Sequence, residues 1–163
     1  MRALILSDSH GRRDMVMQAF NEANRVQSVD AVLFAGDGWE DLMPLVNKKL
    51  PIYAVRGNVE NVPSGPPYLR VETLEQVRTL VVHGHRLGVK HTLDELVANA
   101  KEKDAAIAIY GHTHVPRVKW HRGVLTINPG AARDGRYAIL TILCTGRIEP
   151  ELMRVGELKG HMI

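Results

Sequence analysis

Arg2-Ala3-Leu4-Ile5-Leu6-Ser7-Asp8-Ser9-His10-Gly11 decides how the rest of the chain is read. Residues 2–7 make a short apolar run of strand length, and it stops at an aspartate followed by a histidine. The same arrangement recurs four times. The run 31–35 ends in Gly36-Asp37-Gly38, and the run 51–55 in Gly57-Asn58. The stretch 76–83 ends in His83-Gly84-His85, and the run 105–110 in Gly111-His112-Thr113-His114. In open α/β sheets, ligands bind outside the carboxyl ends of the strands. Five strands delivering carboxylate, amide and imidazole groups are therefore expected to meet at one sheet edge.

The segments between these strands support that reading. Residues 13–25 place Met15, Val16, Ala19, Phe20 and Ala23 at helical spacing with one apolar face. A short helix is expected over 39–48, and the strand–helix–strand rhythm predicts a largely parallel sheet. Residues 57–67, with three Pro and two Gly, read as a loop. Residues 68–73 and 76–83 read as paired strands. Thr92-Leu93-Asp94-Glu95 has the form of a capping box opening a helix to about residue 103. The stretches 115–120, 124–127, 136–144 and 147–155 read as strands, a tail expected to form a second sheet packed on the first. Residues 1–163 are read as a single α/β domain without internal repeats.

Composition narrows the function classes. A hydrophobic content of 45% and a charged content of 24% are ordinary for a globular protein. The formal net charge is +3, and the basic residues are scattered. That suits phosphate substrates but not an extended nucleic-acid track. The single cysteine, Cys144, excludes an internal disulfide and is expected as a buried thiol. No apolar stretch approaches the ~20 residues that span a bilayer. The apolar run 3–6 is too short for a signal-peptide core. A cytoplasmic protein with no membrane partner is expected.

Carboxylate, imidazole and amide donors without thiolate suit Mn²⁺, Fe²⁺, Co²⁺, Ni²⁺ or Zn²⁺. On extended chain both rings of a His-x-His point to one face, so such a pair suits two adjacent ions. Asp37, between glycines, is the natural bridging carboxylate. Two divalent ions bring four positive charges; two aspartates and a bridging hydroxide remove three. About one positive charge would remain to attract a phosphate.

In kind and order these motifs resemble the calcineurin-like metallophosphoesterase superfamily, in particular its small YfcE-like phosphodiesterase branch. The resemblance runs from Asp8-Ser9-His10-Gly11 to Gly111-His112-Thr113-His114 and covers nearly the whole chain. It implies a four-layer α/β/β/α sandwich: two mixed β-sheets flanked by helices. It also implies two divalent metal ions, with Mn²⁺ foremost. One would be held by Asp8, His10, Asp37 and His114, the other by Asp37, Asn58, His83 and His112. Asp37 and Asn58 thereby enter the catalytic group, and His85 takes a supporting place in it. Two departures stand out. Asn128-Pro129-Gly130-Ala131 has alanine where the family often has serine. Gly57-Asn58-Val59-Glu60 has valine where phosphatase relatives carry a histidine that could protonate a leaving group.

Taken singly, the same residues have plainer readings. Asp8 and Asp37 suit helix N-caps, and Asn58 suits a turn. His91, His121 and His161 are read as surface residues, and Trp39 as an anchor for its own helix. Trp120 marks a candidate subunit contact in a possible homo-oligomer. Arg133 and Arg136 are candidates for substrate binding. Together the motifs point to a dinuclear metal-dependent phosphodiesterase acting on a small phosphodiester or nucleotide-like substrate, with a metal-bridging hydroxide attacking phosphorus in line. The alternatives are a Vps29-like protein-binding scaffold, against which retention of His10 argues, and a nuclease of the same superfamily.

Overall fold

Side-chain alternation along the first strand sets the layers. The structure is a computed structural model describing residues 1–60 and 63–157. In β1 (Arg2–Leu6), Ala3 and Ile5 face one core while Leu4 and Leu6 face another. The second of these cores is completed by Val16, Ala19, Phe20 and Ala23 of α1 (Arg13–Val26), the apolar face read from the sequence.

Ten strands form two sheets. Beyond β1 they are β2 (Ala31–Phe34), β3 (Ile52–Ala54), β4 (Leu69–Leu74), β5 (Val77–Val82) and β6 (Ile107–Ile109). They continue with β7 (Arg117–His121), β8 (Val124–Asn128), β9 (Arg136–Ile142) and β10 (Ile148–Arg154). The sheet orders are β10-β9-β1-β2-β3 and β4-β5-β6-β8-β7. The 3-10 turn Trp39–Leu42 runs into α2 (Met43–Val46), and α3 (Asp94–Glu102) precedes β6. Ile5, Leu33, Ile107, Ile109, Leu125 and Leu140 share the core between the sheets. Leu96, Val97 and Ala100 of α3 pack on Leu80, Val82 and Ala108 of the second sheet. The result is the α/β/β/α sandwich of two mixed sheets.

Each sheet combines three parallel strands with antiparallel ones, which lie to one side in the first sheet and at both margins in the second. β1, β2 and β3 run parallel in one, as do β5, β6 and β8 in the other. The loops behind these six strands build the site described below. The expectation of a largely parallel sheet is therefore corrected to two mixed ones.

Three further expectations need correction. The tail does not form the second sheet: β7 and β8 join it, whereas β9 pairs antiparallel with β1, and β10 with β9. β9 is buried on both faces and needs neighbours on both sides, while the half-exposed β10 accepts Pro150 as an edge strand can. The capping box is not formed. α3 begins at Asp94, and Thr92 Oγ1 instead accepts the Asp94 N–H at 2.9 Å. Cys144 is exposed, because β9 ends at Ile142 and the chain turns through Leu143–Gly146. Among the described residues no helix is long and apolar enough to cross a membrane.

Candidate metal centre

Glycine lets the strand-end loops approach one another. A Cβ on Gly36 (φ +93°) would stand 2.8 Å from the Gly57 nitrogen and 2.9 Å from His83 Nδ1. The sheets are stitched together at this edge. His83 Nδ1 lies 2.7 Å from the Ala35 carbonyl, and His112 N–H donates to Asp8 Oδ2 at 3.1 Å. Asp8, His10, Asp37, His112 and His114 all take left-handed backbone, with φ of 53°, 44°, 63°, 67° and 61°. Asp and His tolerate this region better than most residues, yet it is strained for any side chain.

Each aspartate has one oxygen fixed and one presented. Asp8 Oδ2 accepts from the Ser7 hydroxyl at 2.7 Å and from His112 N–H, leaving Oδ1 3.1 Å from His114 Nε2 and 3.6 Å from His10 Nε2. Asp37 Oδ1 accepts the Val59 N–H at 3.1 Å, leaving Oδ2 3.1 Å from His83 Nε2 and 4.0 Å from His10 Nε2. The ligand-type atoms of Asp8, His10 and His114 lie within 4.8 Å of one another, as do those of Asp8, Asp37 and His83. Asp8 thus belongs to both groups, a centrality the sequence reading gave to Asp37 alone.

The tautomer of His83 limits what these groups can hold. His83 Nδ1 lies 2.7 Å from the Ala35 carbonyl, which can only accept, so Nδ1 carries the hydrogen. A neutral His83 then turns a lone pair toward Asn58 Oδ1 at 2.9 Å and Asp37 Oδ2 at 3.1 Å. Three acceptors converge, and only a proton or a cation between them makes the contact favourable. His10 Nε2 and His114 Nε2, 3.4 Å apart, converge similarly beside Asp8. The donor set fits divalent metal ions.

The charges agree with the geometry. Burial alone would push His83 down, but the Asp37 hydrogen bond and the Asp8 and Asp37 charges outweigh it and hold it above the usual histidine range. Asp37 is pushed up by burial, yet its hydrogen bond to His83 and its other partners bring it below the usual carboxylate range. His112 is lowered by burial and then by the nearby charges of His83 and Lys90.

The candidates differ in how far they join this cluster. The His112 ring lies 5.0 Å from His83, and the exposed Asn58 reaches His83 through its side-chain oxygen. His85 stands further off, 5.4 Å from the His83 ring and 6.2 Å from His112, with a buried Nδ1 that has no hydrogen-bond partner among the described residues. Burial lowers it, assisted by His83 and Arg86. Arg133 is exposed, its guanidinium 3.9 Å from Asp134, and its link to the site is a backbone N–H to the Asp8 carbonyl. Arg136 lies against Gly130. Trp39 packs partly buried on the α1 side of its sheet, and Trp120 is 60% exposed on β7. His91 is exposed, His121 is half-buried and bonds Asp94 at 3.2 Å, and His161 lies outside the described residues.

Three supporting residues escaped the sequence reading. The Glu60 carboxylate accepts backbone N–H groups from Trp39 (2.8 Å), Gly57 (2.6 Å), Asp37 (3.3 Å) and Gly38. Buried Asp41 accepts from Ser9 Oγ at 2.6 Å and Gly11 N–H at 2.9 Å. Asn128 donates to the Gly111 carbonyl and to Thr113 Oγ1, steadying the His112–His114 loop. Glu60 and Asn128 stand inside quoted motifs, the available signal. Asp41 carries none.

Residues 1–146 match the calcineurin-like phosphoesterase superfamily domain. A Bacillus subtilis protein described as a probable metallophosphoesterase, YsnB, is 34% identical over 149 residues, which make up 87% of this chain and 85% of the relative. An archaeal phosphodiesterase superposes with a TM-score of 0.74 at 20% identity, over 94% of this chain and all of that one. Zinc-complexed Vps29 of Entamoeba histolytica gives 0.70 at 19% identity, over 95% and 99%. At these identities the last two show a common fold.

Proposed function

The chain belongs to the calcineurin-like phosphoesterase superfamily, and on that premise we propose that it is a dinuclear metal-dependent phosphodiesterase. Asp8, His10, Asp37 and His114 would hold one divalent ion; Asp37, Asn58, His83 and His112 would hold the second. The observation that carries this reading is the convergence of acceptors at His83 Nε2, Asn58 Oδ1 and Asp37 Oδ2, a place that a divalent ion fits once His83 is neutral. Oxygen and imidazole donors favour Mn²⁺ or a neighbouring first-row ion. Bound there, the ions supply Lewis acidity and lower the pKa of water to about 7, so no protein base is needed.

The chain's own groups orient and exclude. Ser7 and the His112 N–H hold the Asp8 carboxylate so that Oδ1 faces the site, and the Val59 N–H does the same for Asp37. The Ala35 carbonyl fixes the His83 tautomer. Val59 carries no proton to give, which favours substrates whose leaving oxygen departs unaided. His85 takes a supporting place beside His83 and His112. The resemblance to an archaeal phosphodiesterase supports the diester preference. The proposed setting is the cytoplasm.

Elemental analysis of the purified protein, then diester hydrolysis by the Mn²⁺-loaded form, tests the proposal. Stoichiometric metal with turnover of an aryl diester is expected. Absence of both leaves a Vps29-like scaffold as the better account.

A further inference from the structure

A cavity of about 150 Å³ is lined by His83 and His85 at one end and by Tyr68 and Arg86 at the other. Leu69, Val82 and Leu87, which pack on the α3 side of the second sheet, give it an apolar floor. No carboxylate lines it. An apolar cavity of roughly 150 Å³ takes up one benzene ring, so the space suits a single flat six-membered ring.

A line of rings ties the cavity to the metal centre. The Leu69–Val82 pair is the last rung between β4 and β5, and Tyr68 and His83 follow it on the two strands. The Tyr68 ring lies 5.9 Å from that of His85, which lies 5.4 Å from His83 and 6.2 Å from His112. His85 is thus a ring neighbour of Tyr68 and of two proposed metal ligands at once. The far end suits flat groups. The Arg86 guanidinium stands 3.5 Å from the centre of the Tyr68 ring, and that of Arg56 stands 5.2 Å from it. Arg86 is exposed and makes no ion pair or hydrogen bond among the described residues, and stacking on Tyr68 leaves its N–H groups available. Tyr68 is itself 37% exposed.

We propose that this cavity receives a nucleobase of the substrate, its six-membered ring held beside His85 against Tyr68 and Arg86. The enzyme then selects diesters of a nucleoside over diesters of a bare sugar or an alkyl group. The proposal rests on the phosphodiesterase reading and narrows its substrate class. A flat neutral ring gains from stacking on aromatic and guanidinium planes, and its edge offers acceptors to the Arg86 N–H groups. A sugar without a base gains neither.

Two measurements test it. The first compares the p-nitrophenyl esters of thymidine 5′-phosphate and of the same sugar phosphate without its base, using Mn²⁺-loaded protein. The leaving group is shared, so the ratio reads the base alone. The thymidine ester should be favoured about tenfold in kcat/KM, a factor that stacking of one base supplies. In Tyr68→Leu, and in Arg86→Ala, whose side chain is exposed and so not needed for folding, that ratio should fall toward one. No preference in the unmodified enzyme, or an unchanged preference in both variants, overturns the cavity. Hydrolysis of neither ester instead refutes the diesterase reading, and the cavity is then decided by the second measurement. That measurement is a nuclear magnetic resonance titration of the chelator-treated full chain with thymidine, which has no phosphate for a metal or a cation to attract. Shifts of the amide signals of residues 68–69 and 84–87 that are lost in Arg86→Ala support the cavity. Absence of shifts there in the unmodified chain, or their persistence in the variant, overturns it.

Discussion

Replacing Glu60 by glutamine removes one charge and one acceptor without changing shape, and the four N–H groups around the carboxylate let the effect be worked out. One oxygen serves Gly38 and Trp39; the other serves Gly57 and Asp37. A glutamine has one oxygen and one NH₂, so in either orientation two backbone N–H groups face a donor. The better orientation keeps the Gly38 and Trp39 pair and gives up the strong Gly57 bond and the longer Asp37 bond. Hydrogen bonds to charged groups are worth about 1.5–3 kcal/mol each. With one strong bond, one weak bond and partial access for water, Glu60→Gln should lose about 2–4 kcal/mol. Urea unfolding in the presence of chelator measures this loss. Asp37 and Asn58 sit on the two loops that Glu60 ties together, so metal affinity should fall with it. A variant within about 0.5 kcal/mol of the parent, the range of ordinary surface changes, and with unaltered metal binding would refute the argument.

Other substitutions separate the roles within the centre. Asp37→Ala should weaken both metal sites, while His10→Ala should spare the second; two tight, unchanged sites by titration calorimetry in Asp37→Ala would remove Asp37 as the bridge. Val59 is 57% exposed and carries no proton. Rates over a series of aryl diesters should therefore rise steeply as leaving-group pKa falls, since a positioned acid usually contributes about 10²–10⁴-fold. Val59→His should flatten that dependence, and a shallow slope in the unmodified enzyme would point to another donor, His85 first. Metal-free stability should also depend on pH. His83 is raised, so its contribution is full below its ordinary 6.5 and disappears as pH climbs through the folded value. Asp37 is lowered, so its contribution is full above its ordinary 3.8 and disappears as pH drops through the folded value. Melting temperatures with chelator should peak between those two values, and with Mn²⁺ the optimum should move upward because the metal requires a neutral His83. A flat metal-free profile would contradict the pairing.

What could be read from the sequence was whatever is local. Ala3, Leu4, Ile5 and Leu6 announce a buried strand, and Asp8 and His10 follow it at once. The α1 face is legible for the same reason. What stayed hidden depends on distant partners. Glu60 and Asp41 act on backbone N–H groups of other loops, and nothing in an N–H distinguishes it before folding. β9 announces burial on both faces but not which sheet supplies its neighbour. The Thr92 pattern failed by the displacement of a helix start, and Cys144 by the early end of a strand.

The left-handed backbone at Asp8, His10, Asp37, His112 and His114 sets a direction for divergence. Glycine would sit more comfortably at each of these positions, by up to about 1 kcal/mol. A protein of this fold with no metal to hold would gain stability by exchanging these residues for glycine, so the proposed ligand set is held against the backbone's own preference.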